Sequence, residues 1–327
     1  MDIIFAGGNL PFEDKLFIFL HHIVEIPGLL LSLFVIFMIL FYTPKWLKSY
    51  SLLIANVTLT DLIACCANLF VMQRIIPIKL SLFYISYGYC TFFGSHVCYI
   101  GYCLMVSSIS NGLYSLCIAF VYRYYVLLHS GSIRTIYLLF ICILVACPSV
   151  FHAVSFSTVD DNPEALKPLL ASIFSYNLTN LVVSGHLSIL RFWTMYAIIF
   201  ACSSTVVAYS IMFLCRQRVL SALTIMDMSP KTKNVHRDLM MALTVQSLLP
   251  LVIVVCSMMY GAQQMNFVHS TTMEHLVLLI AAFNPVLSPL FSLYFVRPYR
   301  DSILKWLNRP KLRKAHLLSI SVAYSMK

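Results

Sequence analysis

Seven stretches of the 327-residue chain are long, apolar and almost free of charge. They cover about 16–43, 51–73, 91–122, 135–157, 192–215, 239–261 and 275–296. Some 20 helical residues cross the hydrocarbon core of a bilayer, so each stretch can span it once. Only helices and closed barrels satisfy every backbone polar group in lipid, and no stretch shows the alternation of a barrel strand. The expected fold is therefore all-α, a seven-transmembrane helix bundle. With 10% charged residues, against about a quarter in soluble domains, the composition excludes a soluble protein of this size.

Lys and Arg concentrate in cytoplasmic loops. With the N-terminus outside, all but five of the 22 basic residues fall on inner segments, the five being Lys15, Arg74, Lys79, Lys167 and Arg191. Asp160, Asp161, Glu164 and Glu274 fall outside. The net charge of +10 is thus a topology signal, and no nucleic-acid partner is implied. The expected partition is an extracellular N-terminus over 1–15, the bundle over 16–297, an amphipathic eighth helix over 298–308 and a cytoplasmic tail over 309–327. Asp2, Glu13 and Asp14 stand where a cleavable signal would be basic, so the first span is expected to direct its own insertion. The sequon at Asn177 falls in the second outer loop and predicts glycosylation there, whereas the one at Asn56 lies inside a span.

Of the eleven cysteines, all but Cys90 fall in spans, where a thiol behaves as a small hydrophobe. No disulfide is expected, no metal, no cofactor and no catalytic group, so the chain does not read as an enzyme.

Ionisable groups inside a span are costly and face the bundle interior. Asp61 sits midway along the second span, either as a packing hydrogen bond or as an ion- or proton-linked switch. Its depth favours the switch. His21, His22 and Glu25 share one face of span one near an interface, which reads as a water-satisfied group rather than a metal site. Ser108 and Asn111 on span three, Gln246 before Pro250 on span six, and Asn284, Ser288 and Pro289 on span seven add polar or bent positions. They fit helices that move against each other, or static hydrogen-bonded packing.

The segment "AFVYRYYVL" (119–127) ends a run from Leu80 to Tyr122 that has no charged residue. Arg123, between Tyr122 and Tyr124, marks the inner end of span three, where a snorkelling anchor would suffice to explain it.

These features together resemble a G-protein-coupled receptor. "NVTLTDL" (56–62) resembles the span-two pattern of rhodopsin-like receptors, with Asn56 and Asp61 in place, and "VYRYYVL" (121–127) stands where Asp-Arg-Tyr stands. "SLLP" (247–250) keeps only the proline of the span-six motif, and "SPLFS" (288–292) takes the place of Asn-Pro-x-x-Tyr. More specifically, "QRIIP" (73–77), "YISYGYC" (84–90), "CYIGY" (98–102), "YRYYVL" (122–127) and "YFVRPYR" (294–300) resemble the nematode serpentine chemoreceptors of class delta. That resemblance implies a small-molecule cue, a heterotrimeric G protein, and residence in the plasma membrane of a sensory-neuron cilium. It implies G-protein contact by Arg123, Tyr122 and Tyr124. It also implies a polar activation network of Asp61, Asn56, Ser108, Asn111, Asn284, Ser288, Pro250 and Pro289.

By position, Met105, Ser108 and Ile109 on span three, Trp193 and Tyr196 on span five, Leu251 and Val255 on span six, and Leu278 and Ala282 on span seven would line an outer cavity suited to an apolar ligand. Two departures stand out. Tyr122 replaces the acid that would pair with Arg123. Cys98 holds the place of a cysteine usually bonded to the second outer loop, but that loop has none, so no such disulfide is expected. The alternative is a ligand-gated ion channel or transporter with seven spans. Against it, the chain shows no internal repeat and few intramembrane charges. A retinal photoreceptor is excluded because residues 275–296 contain no lysine for a Schiff base.

Overall fold

The computed structural model describes residues 10–129, 133–173, 181–225, 237, 240–241, 243–249, 251–268 and 270–307. Seven of its helices are long and apolar enough to cross a membrane: spans one (Phe12–Tyr42), two (Lys48–Val71), three (Ser95–His129), four (Thr135–Ser157), five (Phe192–Thr224), six (Leu243–Gln264) and seven (Thr271–Phe295). The seven-helix bundle is thus present at all seven expected places. Span three continues through Arg123 to His129 instead of stopping at Tyr122. An eighth helix occupies 297–307. Its Trp306 ring sits edge-on to Tyr42, 5.0 Å away, with Phe34 and Phe37 beside it. Asn177, Pro250 and Asn308 lie outside the described residues.

A three-stranded antiparallel sheet at one end of the bundle is absent from the expected fold, in which span two runs to residue 73. Span two stops where Met72 turns left-handed at φ 40°. The chain then forms β1 (Gln73–Ile78), β2 (Ser81–Ser86) and, after span four, β3 (Val182–His186), in the order β1-β2-β3. Register pairs Ile75 with Tyr84 and Phe83 with Gly185. Gly185 has φ 148°, and a Cβ there would collide with the Leu82 carbonyl, so the close strand approach requires glycine.

The sheet is covered on both faces. Ile75, Leu82 and Tyr84 pack on the bundle. Ile76, Phe83, Ile85 and Val183 pack under a short helix (Pro163–Ile173) through Leu166 and Leu170. A strand buried on both faces reads as an unbroken apolar run with no alternation, which explains why sequence periodicity missed it.

Burial around the bundle is uneven. The most apolar windows of spans two and seven are 56% and 61% buried, and those of spans four and five only 22% and 11%. The apolar faces of the less buried helices are left uncovered by protein.

Candidate functional site

At the end away from the sheet, span three carries Arg123 into the packed interior, only 6% exposed. A snorkelling anchor, the simpler alternative for Arg123, would instead reach the membrane surface. Its guanidinium carbon lies 3.7 Å from the ring centroid of Tyr50, on the first turn of span two. Tyr122 stacks on the same Tyr50 ring at 6.5 Å. A desolvated cation–π contact contributes about 2 kcal/mol, less than the several kcal/mol that burial of a charged group costs. Nε and Nη2 of Arg123 have no hydrogen-bond partner among the described residues. The ring thus takes the place of the missing acid while leaving two donors free. Tyr124 is half-buried beside Arg123. A narrow hollow borders this contact, lined by Tyr50, Leu53, Leu116, Leu243, Gln246 and Ser292 among others.

At mid-depth the expected polar residues form two separate sets. Asn56 donates to the Ser115 hydroxyl at 2.7 Å, and Asn111 donates to Thr60 at 3.1 Å, stapling span two to span three. Asp61 faces Ser288 on span seven. Gln246 of span six donates to the Ser288 carbonyl at 3.3 Å and to the Ser292 hydroxyl at 2.8 Å. Ser108 bonds its own helix at the Leu104 carbonyl. Asn284 is half-buried and Pro289 buried on span seven. Gln246 and Ser292 are the members that sequence motifs did not put in the network, although both were visible as polar residues beside prolines.

The sheet end is held by charge and by a covalent bond. Arg74 of β1 lies 2.5 Å from Glu274 on span seven and 3.3 Å from Asp14 on span one. His275 donates to Asp14 at 2.8 Å, and the Phe17 ring stacks on His275 at 4.4 Å. All four ionisable groups are buried, whereas the sequence places Arg74 and Glu274 on outer segments and Asp14 in the extracellular N-terminus. His21 and Glu25 are buried too. Asn68 of span two donates to Glu25, so the reading of this face as water-satisfied is corrected.

The expectation of no disulfide is also corrected: Cys90 and Cys98 are bonded. The expected partner of Cys98 would stand in the second outer loop, which has no cysteine. The partner lies eight residues away, across the turn at Gly94 that brings the segment before span three back onto its first helical turn.

Of the residues expected to line a ligand cavity, Met105, Ser108, Leu278 and Ala282 are buried, and Ile109 and Tyr196 are half-buried. Trp193, Leu251 and Val255 point outward with 41%, 43% and 52% exposure. That corrects their assignment, since helical position without the helix rotation cannot separate an inward face from a lipid-facing one.

The match to the family model "Serpentine type 7TM GPCR chemoreceptor Srd" runs from residue 17 to 305, through both ends described above. The chain belongs to that family. This multi-pass membrane receptor is 31% identical over 290 residues to Serpentine receptor class delta-18 of Caenorhabditis elegans, covering 86% of each chain. It is 31% identical over 316 residues to Serpentine receptor class delta-3 of the same organism, covering 94% of this chain and 92% of that one. With serpentine receptor class delta-19 the identity is 31% over 290 residues, 86% and 85% of the two chains. The matched segment contains both departures noted in the sequence, the tyrosine before Arg123 and the cysteine-free second outer loop.

Proposed function

We propose that this receptor detects a small, largely apolar chemical cue at its sheet end and activates a heterotrimeric G protein at its Arg123 end. The sheet end faces outward and the tail lies in the cytoplasm. The positive-inside charge distribution supports that orientation, and so does the disulfide, because such bonds persist in oxidising compartments. A ciliary plasma membrane is the setting that family membership favours.

The observation that carries the reading is the state of Arg123. A buried guanidinium with two unpartnered donors, held by one aromatic face, is prepared to bond carbonyl oxygens of an inserted partner helix. A cue that binds better to the arrangement with the Arg123 end open shifts the population toward it. Gln246 and the hollow beside Tyr50 lie where span six would have to move.

The test is agonist-independent and cue-driven G-protein nucleotide exchange in wild type and Arg123→Ala at matched surface expression. Exchange is expected to fall by at least roughly tenfold, the loss of a little over 1 kcal/mol of partner contact. Undiminished exchange would remove Arg123 from coupling.

A further inference from the structure

Beneath the sheet, polar side chains from β2 and span six turn inward. Tyr84 of β2 is fully buried, and its ring lies 4.4 Å from that of Tyr102 on span three. Burial, with the hydroxyls of Tyr102, Tyr99 and Tyr260 about it, holds the Tyr84 phenol well above the usual tyrosine range. Tyr260 and Gln263 sit one turn apart on span six and share a face. Gln263 is 1% exposed. The Tyr84 hydroxyl has the neighbouring Tyr102 phenol beside it, whereas both polar atoms of the Gln263 amide and the Tyr260 hydroxyl have no hydrogen-bond partner among the described residues. Buried polar groups nearly always have one. The contrast with the next residue is direct, for Gln264 donates to the Lys79 carbonyl in the β1–β2 turn. The surrounding wall is apolar, with Met105, Ile109, Val252, Met259, Leu278 and Ala281 packed in the same cluster.

We propose that Gln263, Tyr84 and Tyr260 read the polar head of the cue, a small neutral molecule with an apolar body and one carbonyl or hydroxyl group. This assignment deepens the receptor reading above and rests on it. The amide of Gln263 offers a donor and an acceptor, and each phenol can donate. A carbonyl accepts from two of these groups, and an alcohol both donates and accepts. Carboxylate and ammonium heads are excluded by charge. Asp14, Arg74, Glu274 and His275 at this end already pair with one another, and the nearby His186 ring already engages the Tyr99 hydroxyl and the Val159 carbonyl. A charged head would enter without a counter-ion.

The test uses the full receptor in cells with a second-messenger reporter and a matched panel: 2-heptanone, 1-heptanol, ethyl butyrate, heptane, heptanoate and heptylammonium. Wild type is expected to respond to at least one of the three neutral oxygen compounds and to none of the other three. Gln263→Leu and Tyr84→Phe each raise the half-maximal concentration by roughly tenfold or more. Met258→Ala, on the 70% exposed face of span six, leaves it unchanged.

A second readout needs no cue. Purified Gln263→Leu receptor is expected to unfold at the same temperature as wild type or higher, because an apolar side chain removes an unsatisfied buried amide. A lower unfolding temperature assigns Gln263 a structural role and overturns the proposal. So does activation by a charged member, unchanged potency in the variants, or silence toward all three neutral oxygen compounds. In any of those cases, loss of agonist-independent exchange in Arg123→Ala keeps the receptor reading standing, so the two failures are told apart.

Discussion

The two ends of the bundle are held together in different ways. At the sheet end, spans one and seven and β1 share the Arg74–Asp14–Glu274–His275 cluster, a disulfide pins the start of span three, and a sheet is packed on both faces. At the other end, among the described residues, the charged residue of span three lies against the Tyr50 ring of span two. Redundant ties make one end a fixed frame. A cation–π contact of about 2 kcal/mol at the other end fits our proposal that a modest differential affinity changes the structure there. The difference teaches that the absence of an acid beside Arg123 does not leave the arginine loose. The Tyr50 ring on another helix takes up the guanidinium instead.

Three substitutions would break or sharpen that contrast. Arg74→Ala removes the guanidinium shared by two buried carboxylates, which costs about 3–5 kcal/mol. The expected outcome is the largest drop in unfolding temperature and in surface expression, and an unchanged unfolding temperature would deny the cluster its role as the frame. The Cys90→Ala/Cys98→Ala pair follows, because its short loop gives a stabilisation of roughly 2–3 kcal/mol. Thermal unfolding with and without a reducing agent measures it: wild type should lose stability on reduction and the double variant should not. Tyr50→Leu has the smallest effect on stability, about 1–2 kcal/mol. Its consequence is functional, since agonist-independent G-protein exchange should rise several-fold while Tyr50→Phe, which keeps the ring, stays near wild type. Equal exchange in the two variants would show that the ring does not restrain Arg123.

What could be read from the sequence follows from what one-dimensional patterns encode. Hydropathy gave the seven spans, because lipid demands about 20 apolar residues in a row wherever a helix crosses. The same measure hid the sheet. "QRIIPI" and "SLFYIS" are buried on both faces and joined by Lys79-Leu80, a turn without the glycine or asparagine that signals a hairpin. It also concealed the buried charges, because Asp14 and Glu274 stand at span ends, where carboxylates are ordinarily solvated. Arg123 was legible by motif, but its partner Tyr50 was not, since one tyrosine among 19 has no sequence mark of a cation–π role. For the candidate ligand site, Met105 and Leu278 were found by position. Gln263 and Tyr84 were missed, one at a span end and the other in a strand that periodicity did not reveal.

The uneven burial of the spans bears on how such a receptor changes over generations. In the windows of spans four and five, only 22% and 11% of residues are enclosed by protein, and most substitutions there need only remain compatible with lipid. A library of random variants should therefore keep broad apolar diversity in those two helices and show strong depletion across spans two, three and seven. The lipid-facing helices can drift without endangering the fold, while the frame around Arg74 fixes the end of the bundle where we propose that new chemical tastes are tried.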